Sequence, residues 1–327
     1  MNSDRSLRKR RIPAGLIICL AVVFFLTGLV AGLVIMSYIS ADKEAEPAAL
    51  TEDVEQEEVN VLNVYVPARE RVYGSIPVNP YIQDNFRIED GYMAYYDENG
   101  EKISHLGLDI SYHQESVDWE KLSGSAVEFI MLRCGYRGYS EGGLVKDEKF
   151  DEYARAANDA GIPLGVYFFT QAVNVDEAAA EAEFVLSLIE KYEISYPVAL
   201  DTEYVNDIDG RVNKAGLSRE DQSRICIAFL ERIKEEGYYP MIYAGENWIR
   251  RNLDYEMLAD YDFWASQYLS KNDFMYDFTI WQYTANGGVP GIDEDVDLDI
   301  SLVDYASFVP KLRQAVLSGG EIGSYTP

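Results

Sequence analysis

From residue 106 to 283 the chain repeats one pattern, a short apolar run of strand length followed by a segment with helical periodicity. The strand-like runs fall at 106–110, 127–134, 163–169, 197–200, 239–243, 263–267 and 279–283. Within 147–161, Phe150, Tyr153, Ala154 and Ala157 stand at i, i+3, i+4 and i+7, and Gly161 supplies a stop. Segments 175–192 and 219–237 behave in the same way. This alternation calls for a parallel sheet with helical crossovers, an α/β architecture. Both an open sheet and a closed barrel satisfy it, but seven or eight units in about 210 residues favour an irregular TIM-like β/α barrel.

A barrel of this type carries its chemistry at the C-terminal ends of its strands. There the sequence places Pro197-Val198-Ala199-Leu200-Asp201-Thr202-Glu203, a buried-strand pattern ending in two carboxylates at i and i+2. Alternate residues of a strand share a face, so Asp201 and Glu203 project together. Paired carboxylates in a cleft hold different pKa values, one protonated and one ionised, which is the equipment for cleaving a glycosidic bond. Asp-x-Glu also occurs at 42–44, 53–55, 118–120 and 254–256, where acidic or helical surroundings read as solvated surface. Asp109 and Asp297 fall at comparable strand ends, as do Gln267 and the Trp281-Gln282-Tyr283 run. Tyr167, Trp264, Trp281 and Tyr283 are candidate cleft linings, with core packing the alternative for each. Arg133, after an apolar run, either anchors a carboxylate of the cleft or pairs inside the barrel.

Other chemistries have little material. His105 and His113 are the only histidines, there is no Cys-x-x-Cys, and no Gly-x-Ser-x-Gly elbow is present. Neither a metal nor a cofactor is expected. Cys134 and Cys226 either pair or remain buried thiols.

The N-terminal part reads differently. Residues 12–39 are 28 consecutive uncharged residues, long enough to span a bilayer, and 1–11 hold five basic side chains against Asp4. The expectation is a single-pass membrane protein with a cytoplasmic tail at 1–11, a transmembrane helix at 12–39 and an extracellular catalytic domain. Residues 42–60 hold eight acidic side chains against Lys43, a self-repelling spacer. The assignment is a stalk or linker over 40–91, a barrel domain over 92–315 and a tail over 316–327. Within that stalk, 61–90 is open to a second reading, an extension packed on the barrel. Asn99-Gly100 marks a hairpin turn between 92 and 105. With a whole-chain charge of −28, the part beyond the basic tail carries about −32, which opposes nucleic-acid binding.

Taken in order, these residues resemble glycoside hydrolase family 25, the Chalaropsis-type muramidases. The motifs are Gly107-Leu108-Asp109-Ile110-Ser111 with Gln114 and Val117-Asp118-Trp119, then FIMLRCGYRGY at 129–139 and AANDAGIPLGVYFF at 156–169. PVALDTE at 197–203, FWASQY at 263–268, IWQYT at 280–284 and VPGIDEDVDLD at 289–299 complete the set. The resemblance implies an irregular β/α barrel that hydrolyses the β-1,4 bond between N-acetylmuramic acid and N-acetylglucosamine in peptidoglycan. It implies Glu203 as general acid, Asp201 as the partner that orients the substrate's N-acetyl group, and Asp109 and Asp297 as further active-site carboxylates. By like-charge repulsion from those three aspartates, Glu203 is expected to have a raised pKa. Asp299 stands where relatives often carry Asn, and His113 sits where the family varies. Two other readings fit the same residues: a non-catalytic peptidoglycan-binding scaffold on the same barrel, and a glycosidase acting on another N-acetylated glycan.

Overall fold

The computed structural model describes residues 72–73, 76–205 and 210–319. The expected transmembrane helix at 12–39, the basic tail at 1–11, the acidic spacer and the end of the chain from 320 lie outside the described residues. Among the described residues no helix is long and apolar enough to cross a membrane.

The strands in chain order are β1 (Val72–Tyr73), β2 (Ile76–Pro77), β3 (Phe86–Glu89), β4 (Tyr92–Tyr95), β5 (His105–Ile110), β6 (Phe129–Arg137), β7 (Leu144–Lys146), β8 (Leu164–Phe169), β9 (Val198–Asp201), β10 (Pro240–Gly245), β11 (Asp262–Ser266), β12 (Ile280–Gly287) and β13 (Val296–Ser301). Eight of them close a barrel in the order β5-β13-β12-β11-β10-β9-β8-β6, with β6 pairing back to β5 and β7 added outside on β6. Seven barrel strands run parallel; β13 runs antiparallel to both neighbours, β12 and β5. The expected strands are therefore present within a few residues of their assigned ends, and β13 is an addition. Its sequence Val-Asp-Leu-Asp-Ile-Ser alternates strictly, and that alternation normally marks a sheet with one wet face. Here the polar set faces the barrel interior.

Helices at Phe150–Asp159, Val175–Ile189 and Arg219–Glu235 pack outside the barrel. Two of them start at a side-chain cap: Asn174 accepts from the Glu177 N–H, and Ser218 and Asp221 form a reciprocal capping box. Phe150, Tyr153, Ala154 and Ala157 are all buried, as their spacing requires. Between barrel and helices lies one apolar cluster containing Leu108, Leu132, Val166, Leu200, Ile225 and Phe229. A second fills the barrel itself, with Phe129, Met131, Tyr196, Met241, Trp264 and Ile280. Each such fully buried side chain contributes about 1.5–3 kcal/mol. The far end is closed by Tyr239 and Tyr305, whose hydroxyls each lie 2.7 Å from Asp262 Oδ2.

Residues 76–91, assigned above to the stalk, pack on the barrel. Tyr81 meets the rings of Phe86, Tyr95 and Phe278 at 6.2, 5.3 and 4.9 Å, and its hydroxyl donates to the Phe278 carbonyl. Asn79 donates to Asn272 and to the Phe274 carbonyl, and Val78 bridges Tyr276. The physical reason is aromatic: Tyr81 and Phe86 carry more apolar surface than an extended spacer can leave in water. Asn99-Gly100 does form a turn, closed by the Tyr96–Lys102 bridge. The fuller hairpin is β3–β4, turned at Asp90-Gly91, where both residues adopt positive φ.

Candidate active site

The barrel interior follows strand parity. On β6, Phe129, Met131 and Arg133 point inward, while on β9 and just beyond it Ala199, Asp201 and Glu203 do so. At the mouth these rows end in a cavity of about 210 Å³ lined by Asp109, Arg133, Tyr167, Phe169, Asp201, Glu203, Tyr243, Trp264, Gln282 and Asp297. Asp297 reaches the mouth because β13 is reversed. Its first residues lie beside the last residues of β5, and Asp297 pairs directly with Asp109.

The Asp201–Glu203 corner is held by backbone bonds from both sides. Thr170 N–H donates to the Asp201 carbonyl at 3.0 Å, and Thr202 N–H donates to the Tyr243 carbonyl at 3.1 Å. Between the two carboxylates Thr202 faces outward, where Trp248 Nε1 donates to its hydroxyl at 2.9 Å. Asp201 is buried, whereas Glu203 stands at the open rim.

Gln282 organises the opposite wall. Its Nε2 donates to Asp109 Oδ2 at 2.6 Å, and its Oε1 accepts from the hydroxyls of Tyr243 and Tyr268 at 2.8 and 2.7 Å. Below Asp109 lies Asp299, fully buried, whose Oδ1 accepts from Trp264 Nε1 at 2.7 Å. Two buried carboxyls this close oppose each other's ionisation.

All four catalytic candidates come together: Glu203, Asp201, Asp109 and Asp297 line one cavity, joined by Arg133, Tyr167 and Trp264. Three substrate-binding candidates do not. Trp281 and Tyr283 occupy the outward positions of β12; Trp281 meets Phe86 at 5.1 Å, and the Tyr283 hydroxyl accepts from the Met93 N–H. Gln267 bonds to exposed Asp273 at 2.7 Å outside the cavity. The reason is the two-residue period, which turns Gln282 inward when Trp281 and Tyr283 face out. Phe169 and Tyr243 also line the site and are not among the sequence candidates, while Gln282 enters there only within the Trp281-Gln282-Tyr283 run and not as a chosen site residue. Counting parity from Ile280, in the barrel core, would have found Gln282.

Every carboxyl of the cluster has a raised pKa. For Glu203, open on its outer side, the loss of water on its cavity side comes first and the charge of Asp297 second, so repulsion from Asp109 and Asp201 is not the main cause as expected. Asp201 is raised well above the usual range by burial and then by Glu203, with Arg133 opposing. Burial lifts Asp297 to about 6. Asp109 is raised by burial, then by Asp299 and Asp297. These groups keep protons in the folded chain at pH values where the unfolded chain, near pKa 3.9, has lost them. Folding stability is then fully present below about pH 4 and declines as pH rises through the folded pKa values. Thermal unfolding should accordingly show a Tm that falls between pH 5 and pH 8. Asp299→Asn should flatten that decline, because it removes one buried titrating carboxyl and its charge beside Asp109. An equally steep decline in the variant would remove Asp299 as its source.

Residues 108–292 match the family described as Glycosyl hydrolases family 25. The chain belongs to that family. It is a glycoside hydrolase, and lysozymes are among its relatives. Lysozyme M1 of Streptomyces globisporus is 27% identical over 235 residues, covering 68% of this chain and 77% of that one. The autolytic lysozyme of Clostridium acetobutylicum is 25% identical over 194 residues, covering 59% and 54%. Among solved structures, the modular autolysin LytC of Streptococcus pneumoniae superposes with a TM-score of 0.53 at 26% identity, over 66% of this chain. This chain spans about half, 52%, of the LytC chain. The family match contains Asp109, Arg133, Asp201, Glu203 and Gln282, and ends just before Asp297.

Proposed function

We propose that this family 25 hydrolase cleaves the β-1,4 bond between N-acetylmuramic acid and N-acetylglucosamine in peptidoglycan glycan strands. The observation that carries the reading is the pairing of Glu203, open at the rim with a raised pKa, with buried Asp201 two residues earlier. Glu203, whose raised pKa favours the protonated form, donates its proton to the leaving glycosidic oxygen as that bond lengthens. Asp201 accepts from the substrate's acetamido N–H and holds the acetamido carbonyl oxygen for attack on the anomeric carbon. Asp109 and Asp297 position the substrate and shape the electrostatics around Glu203. Tyr167 and Trp264 offer aromatic faces to the ring. A LytC structure in complex with a synthetic peptidoglycan ligand supports the choice of substrate.

We further propose that residues 12–39 anchor the protein in a membrane, with 1–11 cytoplasmic and the domain over 92–315 outside. The uncharged run and the preceding basic cluster support this.

Full-length protein in detergent, incubated with purified peptidoglycan, should yield products that carry reduced muramic acid ends after borohydride treatment, read by mass spectrometry. Reduced glucosamine ends would put the cut at the other bond. Absence of products on walls that another muramidase digests would favour the scaffold reading.

A further inference from the structure

Of the ten side chains lining the cavity, Arg133 alone is cationic. It is held rigidly. Nε donates to Asp147 Oδ2 at 2.8 Å, and the Asp147 side chain is fully buried. Asp147 is itself fixed by the backbone N–H groups of Tyr112 and Lys149 at 3.3 and 3.0 Å. The guanidinium also lies 4.8 Å from the Tyr112 ring centroid and 5.7 Å from that of Tyr136. Its position is thus set without any help from the cleft.

Nη2 of this anchored group is buried and has no hydrogen-bond partner. A buried donor left unpaired is costly, and one kept at a cleft is suited to an incoming acceptor. On the same cavity Asp201 Oδ1 is also buried and unpartnered, an acceptor awaiting a donor. The two orphans are complementary in sense, and one sugar residue can satisfy both. The acetamido N–H suits Asp201. The acetamido carbonyl does not suit Arg133, because it must stay free to attack the anomeric carbon. The remaining planar acceptor on a muramyl ring is the carbonyl or carboxylate of the three-carbon acid ether at C3, and a guanidinium is shaped for such oxygens.

We infer that Arg133 Nη2 receives this acid-ether oxygen, and that Arg133 thereby makes the cleft select muramyl rings over plain N-acetylglucosamine rings. Asp109, Asp201, Glu203 and Asp297 carry no positive charge to offer such an oxygen, so Arg133 is the one lining residue that meets it with a cation. The inference rests on the peptidoglycan reading and names the substituent that reading leaves open.

The test is binding in protein that cannot turn over. Full-length Glu203→Gln is titrated calorimetrically with a muramyl-containing tetrasaccharide and with the N-acetylglucosamine tetramer. The muramyl ligand should bind about tenfold tighter, a difference of about 1.4 kcal/mol. Adding Arg133→Lys should bring the two ligands within about twofold of each other, with the glucosamine tetramer's own Kd nearly unmoved. Lysine keeps a cation for Asp147 but cannot serve it and the cavity together. Arg133→Met is run alongside; if it fails to fold, the lysine variant decides. An equal loss of affinity for both ligands, a preference that survives Arg133→Lys, or no measurable muramyl binding would each overturn the inference. Should wild-type protein release no muramic acid ends while the preference is present, the hydrolase reading falls and this one stands. Hydrolysis without the preference gives the reverse.

Discussion

Glu203→Gln should lower turnover on peptidoglycan by about 10³-fold, within the range a positioned general acid supplies. The amide keeps the shape of the carboxyl and has no proton to give, so ligand affinity should change little. Thermal stability should hold or rise, since the substitution removes a group that burial and Asp297 push toward its neutral form. The pH profile separates this role from simple packing. Wild-type activity should fall on the alkaline side as Glu203 ionises, with the limb above the ordinary glutamate value of about 4.3 because its pKa is raised. Whatever activity Glu203→Gln retains should lack that limb. Turnover within tenfold of wild type at pH 6 would mean that another group protonates the leaving oxygen.

Gly107→Ala should cost about 3 kcal/mol in urea denaturation, at the upper end of overpacking effects. Gly107 lies inside the barrel on β5, paired with Phe129 on β6 and with Asp299 on β13. A Cβ there would stand 2.2–2.5 Å from three atoms of the Phe129 ring. That ring cannot yield, because it is fully buried and stacked on Tyr196 at 4.4 Å. Phe129→Leu in the same chain should recover at least half of the loss, the coupling expected of two residues competing for one volume. Losses that simply add would place the fault in the β5 backbone instead. The position also matters for chemistry, since Asp109 is two residues further along the same inward row.

Much of this was legible in the chain because each level pointed the same way. Apolar runs of strand length alternated with helical spacing, Gly161 marked a helix end, and Asp201-Thr202-Glu203 closed a buried run. What escaped depended on direction rather than identity. Trp281 and Tyr283 look like sugar-binding residues by type, but one residue of parity sends them to the outer layer and gives the cavity to Gln282. The strand β13 was hidden because its inward row is acidic; a polar-apolar alternation reads as half-solvated, and only closure of the barrel turns its wet face inside. Tyr81 and Phe86 were obscured by the prolines and acidic residues around them. The influence of buried Asp299 on Asp109 needed three dimensions, for the two residues are 190 positions apart in sequence.

The packed segment at 76–81 also determines how the domain would carry load. Pull arriving along the chain from its N-terminal side meets Pro77, Val78 and Asn79 before any barrel strand. Those residues are bonded side by side to 272–277, through Asn79 N–H to the Met275 carbonyl, Asp277 N–H to the Pro77 carbonyl, and the Asn79 side chain to Phe274. Bonds lying across the direction of pull are strained together, whereas a hairpin end opens one bond at a time. The connection between β11 and β12 therefore serves as a strain relief, and tension is borne there before it reaches β9, where Asp201 and Glu203 must keep their registry.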